Sequence, residues 1–326
     1  MIVRLYAQLV VLAVLATTLA TVAALGARGN WVLELFSHFP VQYLLVLLLA
    51  AALCLGLQRR RWAALALLAA VPNLLVISPY LPGLVNRPAT PVAGTTANQA
   101  PIKLIAANLY YALKDPAATR AFLAAQSADL LVLSEFTPRW RQKLSDLDRT
   151  YPYFALRARR NAWGIAVYSK YPLRAVEDLA LGDEVSSHLR VVAELPGGLA
   201  EVYAVHPASP SSPAQARQRN TQLRRLAQRL TAADPALPKI VAGDFNLTPY
   251  SPYFRDLLRD AGLRDGRLPF GPSATWPAWL VPAWIPIDHC LFSGPVLVRN
   301  VAVGPRIGSD HLPLVCEFAL SSSERL

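Results

Sequence analysis

At 326 residues the chain is too long for one small domain and suits a membrane segment joined to one α/β domain. Its hydrophobic content of 54% is concentrated before Pro82, and its three cysteines fit no metal-motif spacing. The formal charge of +11 is nearly all arginine, since lysine occurs only at Lys103, Lys114, Lys143, Lys170 and Lys239. Such a surface admits nucleic acid, anionic lipid or phosphate substrates without choosing among them.

Three apolar runs open the chain: Leu5 to Ala27, Val41 to Leu57, and Trp62 to Ile77, the last broken by Pro72 and Asn73. Each approaches the length needed to cross a bilayer, so three transmembrane helices are expected. Leu5 to Ala27 also reads as a signal peptide, with Ala24-Leu25-Gly26 as a small-residue cleavage site. Arg59-Arg60-Arg61 places the second loop inside, because cytoplasmic loops are enriched in basic residues. Everything after Ser78 is then expected outside the cytoplasm, on a multi-pass protein of the cell membrane. Trp31, Trp62 and Tyr80 flank the spans as interfacial aromatics do. The anchor ends near residue 79. Residues 80–101, rich in Pro, Gly, Thr, Ala and Asn, read as a flexible linker reaching roughly 25 Å.

Beyond the linker, short apolar runs alternate with helical patterns. Strands are expected at Ile102–Ala107, Asp129–Ser134, Ala162–Ser169, Leu189–Leu195, Leu199–Val205, around Ile240–Ala242, Ile287–Phe292, Leu297–Val303 and Leu314–Phe318. Helices are expected over Pro116–Gln126, with Asp115 as N-cap, from Pro138, and over Ala214–Leu230. Cys54, Cys290 and Cys316 fall inside apolar segments and read as buried free thiols. Nothing in the spacing supports a Cys290–Cys316 disulfide.

The polar residues at strand ends form a pattern. Asn108, Glu135, His206, Asp244 and Asn246 directly follow apolar runs, and Asp288 and Asp310-His311 begin others. Strand ends are where polar side chains from distant sequence converge. Asp244 and Asn246, two apart on extended backbone, project together while Phe245 turns into the core. The pair suits a hard cation or phosphate oxygen; an Asx-turn closing the strand is the alternative.

Gly243-Asp244-Phe245-Asn246, Ser309-Asp310-His311, Ile287-Asp288-His289 and the run from Gly164 to Leu173 together resemble the endonuclease/exonuclease/phosphatase superfamily, with its deoxyribonuclease-I-like fold. The resemblance spans about Ile102 to Leu320. It implies an α/β domain over 102–320, a four-layered α/β/β/α sandwich preceded by the three transmembrane helices, with 321–326 as a tail. It further implies hydrolysis of phosphoesters with Mg²⁺ or Mn²⁺. Glu135 matches the metal-binding glutamate, Asn108 supports it, and Asp310 matches a second metal or phosphate-site carboxylate. Asp244 matches the aspartate beside the attacking water, Asn246 the asparagine beside the phosphate, and His206 the histidine that contacts a phosphate oxygen or assists the leaving group. His311 matches the acid/base histidine, oriented by Asp288. Pro207 after His206 departs from many members. Trp276 fits a common family position, and Arg160 stands in a basic loop suited to substrate.

Such chemistry needs a cation to neutralise developing charge, a group near neutral pKa to move a proton, and donors for the phosphoryl oxygens. The chain looks like the membrane-anchored bacterial branch of the family, and with the three spans, the short linker and the inferred topology this makes a lipid-linked phosphate or pyrophosphate the expected substrate, with the bilayer as partner. The run Thr275 to Ile285, with Trp279, Leu280 and Trp284, either dips into headgroups or packs as a lid. A nuclease acting on external DNA or RNA is the alternative, which the basic charge allows. The oligomeric state is open.

Overall fold

The computed structural model describes residues 1–81, 100–182, 185–268 and 270–320. Nearly all of the expected linker, and the expected tail 321–326, lie outside the described residues. The chain divides into two units: Met1–Val85 with Pro249–Pro252, and Asn86–Thr248 with Tyr253–Leu326.

The first unit holds helices α1 (Ile2–Leu25), α2 (Trp31–Phe36), α3 (Pro40–Gly56) and α4 (Arg60–Ile77). Val14, Leu47, Cys54 and Ala66 pack together at its centre. Asn73 Nδ2 donates to Thr21 Oγ1 at 2.9 Å, pairing two buried polar groups between α4 and α1. The expectation of three spans is corrected. Among the described residues two helices, Ile2–Leu25 and Arg60–Tyr80, are long and apolar enough to cross a membrane, and Pro40–Gly56 is shorter. Its 17 residues rise about 26 Å at 1.5 Å each, short of a bilayer core of about 30 Å. The physical stop is Gln58, whose left-handed φ of 56° ends the helix before the arginine cluster. Multiple passes are therefore not shown. The first of the two long helices also has the position and composition of a signal sequence.

The second unit runs β1 (Ile102–Asn108), α5 (Ala117–Gln126), β2 (Leu130–Ser134), α6 (Pro138–Lys143), α7 (Leu147–Thr150), β3 (Tyr153–Arg157), β4 (Ile165–Ser169) and β5 (Leu173–Asp178). It continues with β6 (Leu189–Leu195), β7 (Gly198–Ala204), α8 (Pro213–Ala232), β8 (Lys239–Asp244), α9 (Pro252–Ala261), β9 (Arg264–Asp265), β10 (Asp288–Phe292), β11 (Val296–Val303) and β12 (Leu314–Leu320). Two six-stranded sheets form, ordered β11-β12-β1-β2-β4-β3 and β5-β6-β7-β8-β10-β9. Both are mixed: β1 runs parallel to β2 and β7 to β8, and the other pairs are antiparallel.

The buried side chains sort into layers by strand parity. Leu104, Ala106, Ile240, Ala242, Cys290 and Cys316 belong to one core to which both sheets contribute. Ile105 and Ala107 pack instead with Phe122 and Leu123 of α5. Val241 packs with Leu223 and Leu226 of α8 and Phe254 of α9. The central strands of each sheet are thus covered on both faces, which is why they read as unbroken apolar runs. This is the expected α/β/β/α sandwich. All three cysteines are buried free thiols.

Candidate active site

Two strands bring the carboxylates together. Asp244 ends β8 and Asp288 begins β10, and the antiparallel register sets them directly opposite each other. Like charges in that position are destabilising unless something positive stands between them. His311 does so. Its Nδ1 donates to Asp288 Oδ2 at 2.8 Å, and its Nε2 lies 3.6 Å from Asp244 Oδ2. His206, just beyond β7, points Nε2 at the same Asp244 oxygen from 3.5 Å.

Asp244 is the hub. Its Oδ2 also accepts from Asn108 Nδ2 at 3.0 Å, while its Oδ1 accepts from the Asn246 backbone N–H at 2.8 Å. The cation-site and Asx-turn readings of this stretch are therefore not exclusive. One carboxylate oxygen closes the turn and the other faces the site. Phe245 is fully buried, as the alternation requires. Asn246 takes a left-handed φ of 51° and donates its amide to the Pro207 carbonyl at 3.0 Å. Gly243 makes the approach possible: at φ 141°, a Cβ there would lie 2.0 Å from the Val205 carbonyl oxygen.

Asn108 donates to Glu135 Oε1 at 3.1 Å as well as to Asp244, so its amide bridges two carboxylates. Its Oδ1 accepts from the Tyr110 N–H, and Glu135 Oε2 accepts from the Tyr111 N–H at 2.7 Å. Ser309 hydroxyl donates to the Asn108 carbonyl at 2.7 Å and accepts from the His311 N–H, tying β1 to the Ser309-Asp310-His311 turn. Asp310 is half-buried, and its backbone oxygen accepts from the Ala278 N–H at 2.7 Å. Trp276 is half-buried and bonded through its backbone to Ile285; Arg160 is exposed.

Electrostatics follow from burial and these contacts. Burial opposes charge on His311, but Asp288 and Asp244 outweigh it and raise its pKa to about 10. Burial likewise opposes charge on Asp244, and His311 and His206 pull its pKa down to about 2. Burial raises Glu135, partly offset by His206. His206 is raised, because Asp244 and Glu135 overcome its burial. Against ordinary values of 6.5 and 3.8, these shifts define a stability window for the metal-free protein. His311 stabilises fully below about pH 6.5 and loses its contribution as pH rises through about 10; Asp244 stabilises above about 3.8 and loses it as pH falls through about 2. Asp288 and Glu135, both raised by burial, also lose stability as pH rises. Denaturant midpoints in chelator are therefore expected to fall as pH rises from about 6.5 to 9. A midpoint that climbs from pH 6.5 to 9 would contradict the assignment.

The donor set fits a hard cation. Asp244, Asp288 and His311 each bring a ligand atom within 4.8 Å of the others. Among the described residues Asp288 Oδ1 is buried with no hydrogen-bond partner, and such an oxygen is costly unless a cation or water meets it. Glu135 and Asp310, the ligands expected from sequence, fall outside this trio among the described residues; Asn108 links Glu135 to it.

Sequence reasoning missed several supporting groups. Thr275 hydroxyl accepts from the Asp288 N–H at 3.3 Å. Trp163 packs against His206 with ring centroids 6.0 Å apart. Arg219, fully buried, donates to the Asn246 carbonyl at 3.4 Å. The signal for Arg219 was present: Ala216, Leu223 and Leu226 share its helix face at i−3, i+4 and i+7.

The family model described as "Endonuclease/Exonuclease/phosphatase family" matches residues 105–311. The fold resembles D. rerio TDP2 complexed with single strand DNA product, at TM-score 0.58 and 20% identity over 68% of this chain and 99% of that one. It also resembles sphingomyelinase C from Streptomyces griseocarneus, at TM-score 0.52 and 19% identity over 67% and 99%. An endonuclease/exonuclease/phosphatase from Beutenbergia cavernae gives TM-score 0.52 and 20% identity over 68% and 72%. No curated protein matches in sequence.

Proposed function

Because the chain belongs to the endonuclease/exonuclease/phosphatase family and is a metal-dependent phosphoesterase of it, we propose that it hydrolyses a lipid-linked phosphate or pyrophosphate at a membrane surface, outside the cytoplasm. The observation that carries the lipid reading is an apolar tip beside the site. Trp279, Leu280 and Val281 are consecutive and exposed, at 67%, 39% and 56%. The loop bearing them is closed by the Trp276–Ile285 bridge and pinned by the Ala278–Asp310 bond. An exposed apolar tip costs solubility unless it meets an apolar partner, and a bilayer interface accepts tryptophan and leucine together. The two long apolar helices agree with a membrane address, and Arg59-Arg60-Arg61 with the stated orientation.

Asp244 and Asp288 hold the divalent cation, Mg²⁺ or Mn²⁺, flanked by Glu135, Asn108 and Asp310. When bound, the cation neutralises charge on the phosphoryl oxygens. Asp244, ionised across the neutral range, accepts a hydrogen bond from the attacking water and so aims it. His311 holds its proton at neutral pH in the metal-free site, so it serves as donor to a phosphoryl or leaving oxygen before it serves as base. Asp288 fixes its orientation, as a buried carboxylate does for an imidazole. His206 and Asn246 complete the donors around the phosphate. Arg160 and Trp276 border the substrate.

The nuclease reading has one observation in its favour. Tyr110 and Tyr111 are exposed, at 37% and 45%, and Tyr111 donates its N–H to Glu135, an aromatic surface on which bases can stack. A substrate panel separates the two. The purified full chain with Mg²⁺ is expected to release phosphate from polyprenyl pyrophosphate or phospholipid in mixed micelles. Cutting of plasmid DNA without that release would replace the lipid reading with the nuclease one. Changing Trp279, Leu280 and Val281 together to serine is expected to lower the ratio of micellar to soluble-ester turnover at least about tenfold, since full burial of even one such side chain is worth about 1.5–3 kcal/mol. An unchanged ratio would remove the tip from the account.

A further inference from the structure

Behind the site, on the opposite face of β10 from Asp288, lies a second buried polar group. His289 is fully buried. Its ring stands 4.4 Å from that of Phe254 and 5.1 Å from that of Phe245. The two ring nitrogens have different partners. Nδ1 meets the guanidinium of Arg267, and Nε2 lies 2.7 Å from the Leu247 carbonyl. Arg267 is itself fully buried and bonded to both carboxylate oxygens of Asp265, at 3.2 and 3.0 Å.

These partners fix the tautomer. A guanidinium only donates, so Nδ1 must accept and the proton must sit on Nε2. Nε2 therefore donates to Leu247, the residue after Asn246. Asn246 is held at positive φ, a conformation that a non-glycine residue keeps only when its surroundings enforce it. From the front, Asp244 Oδ1 fixes the Asn246 N–H; from behind, His289 fixes the next carbonyl.

We propose that His289, locked in one tautomer by the Arg267–Asp265 pair, is a positioning residue that sets the turn carrying Asn246. It touches neither phosphate nor cation. Its effect on rate rests on the phosphoester hydrolysis read above; its effect on the turn does not.

Three substitutions separate this role from plain core filling. His289→Gln places an amide donor where Nε2 was and keeps the bond to Leu247. His289→Asn places its amide at the Nδ1 position and loses that bond. His289→Phe keeps the volume and loses both. Hydrolysis of bis-p-nitrophenyl phosphate is expected to show kcat within about threefold of wild type for Gln, and about 10- to 100-fold lower for Asn and Phe, with KM unchanged in all three. Native-state hydrogen exchange of the Asn246 and Thr248 amides is expected to be unchanged in Gln and at least about tenfold faster in Asn and Phe. The exchange needs no turnover, so an inactive wild type would overturn the hydrolase reading and leave the turn to be judged by exchange alone. Equal exchange in Gln, Asn and Phe, or loss that tracks melting temperature alone, would overturn the positioning role.

Discussion

Replacing His311 with alanine is expected to lower kcat on any phosphoester by about 10²–10⁴, the range for removing a positioned proton-transfer group. Two features push toward the upper end. Among the described residues, His311 meets both facing carboxylates at once, through Asp288 at 2.8 Å and Asp244 at 3.6 Å. Its proton is held up to about pH 10 by those same neighbours, so it is charged at any working pH of the metal-free site. KM is expected to change little, because the loss falls on the transition state. Steady-state kinetics beside far-ultraviolet circular dichroism check this. A folded variant retaining a tenth of wild-type kcat would refute the role.

Asp244→Asn is expected to be as severe for a different reason. The amide still offers an oxygen to the Asn246 N–H, so the turn survives. The charge that attracts a cation, and that faces His206 and His311, is gone. The Mg²⁺ concentration for half-activation should rise by about 100-fold or more, with kcat down about 10³ at saturating metal. Metal titration of activity measures both. Unchanged half-activation would move the cation away from Asp244.

Much of the site was readable because it lies at strand ends. Ile240–Ala242 is buried on both faces, so its apolar run stands out, and the polar residues that follow mark where the strand meets the site. The Asp244–Asp288 pairing was only half readable. Both residues could be assigned to strand ends, but their direct opposition depends on a register that joins β8 to β10 across the intervening helix α9 and strand β9. Strands β3 and β5 were missed because they are largely exposed edge strands with no continuous apolar run. Buried Arg267 and His289 were hidden for a related reason. His289 is buried against Leu247 and Phe254 and Arg267 against His289, partners that come from distant stretches of the chain, and composition assigns such charges to the surface. At the N-terminus the apolar run Val41 to Leu57 matches α3 within a residue at each end, and what failed was counting so short a run as a full span.

The central claim is that the buried Asp244 and Asp288 carboxylates, beside the proton-carrying His311, bind a divalent cation used to hydrolyse phosphoesters. Its most direct test is turnover of a soluble phosphodiester by the purified full chain, stripped with chelator and then titrated with Mg²⁺ or Mn²⁺. The account predicts loss of activity on stripping, restoration by either cation in wild type, and no restoration in Asp244→Asn at the same concentration. Full activity in the chelated protein, or equal restoration in both proteins, would contradict it.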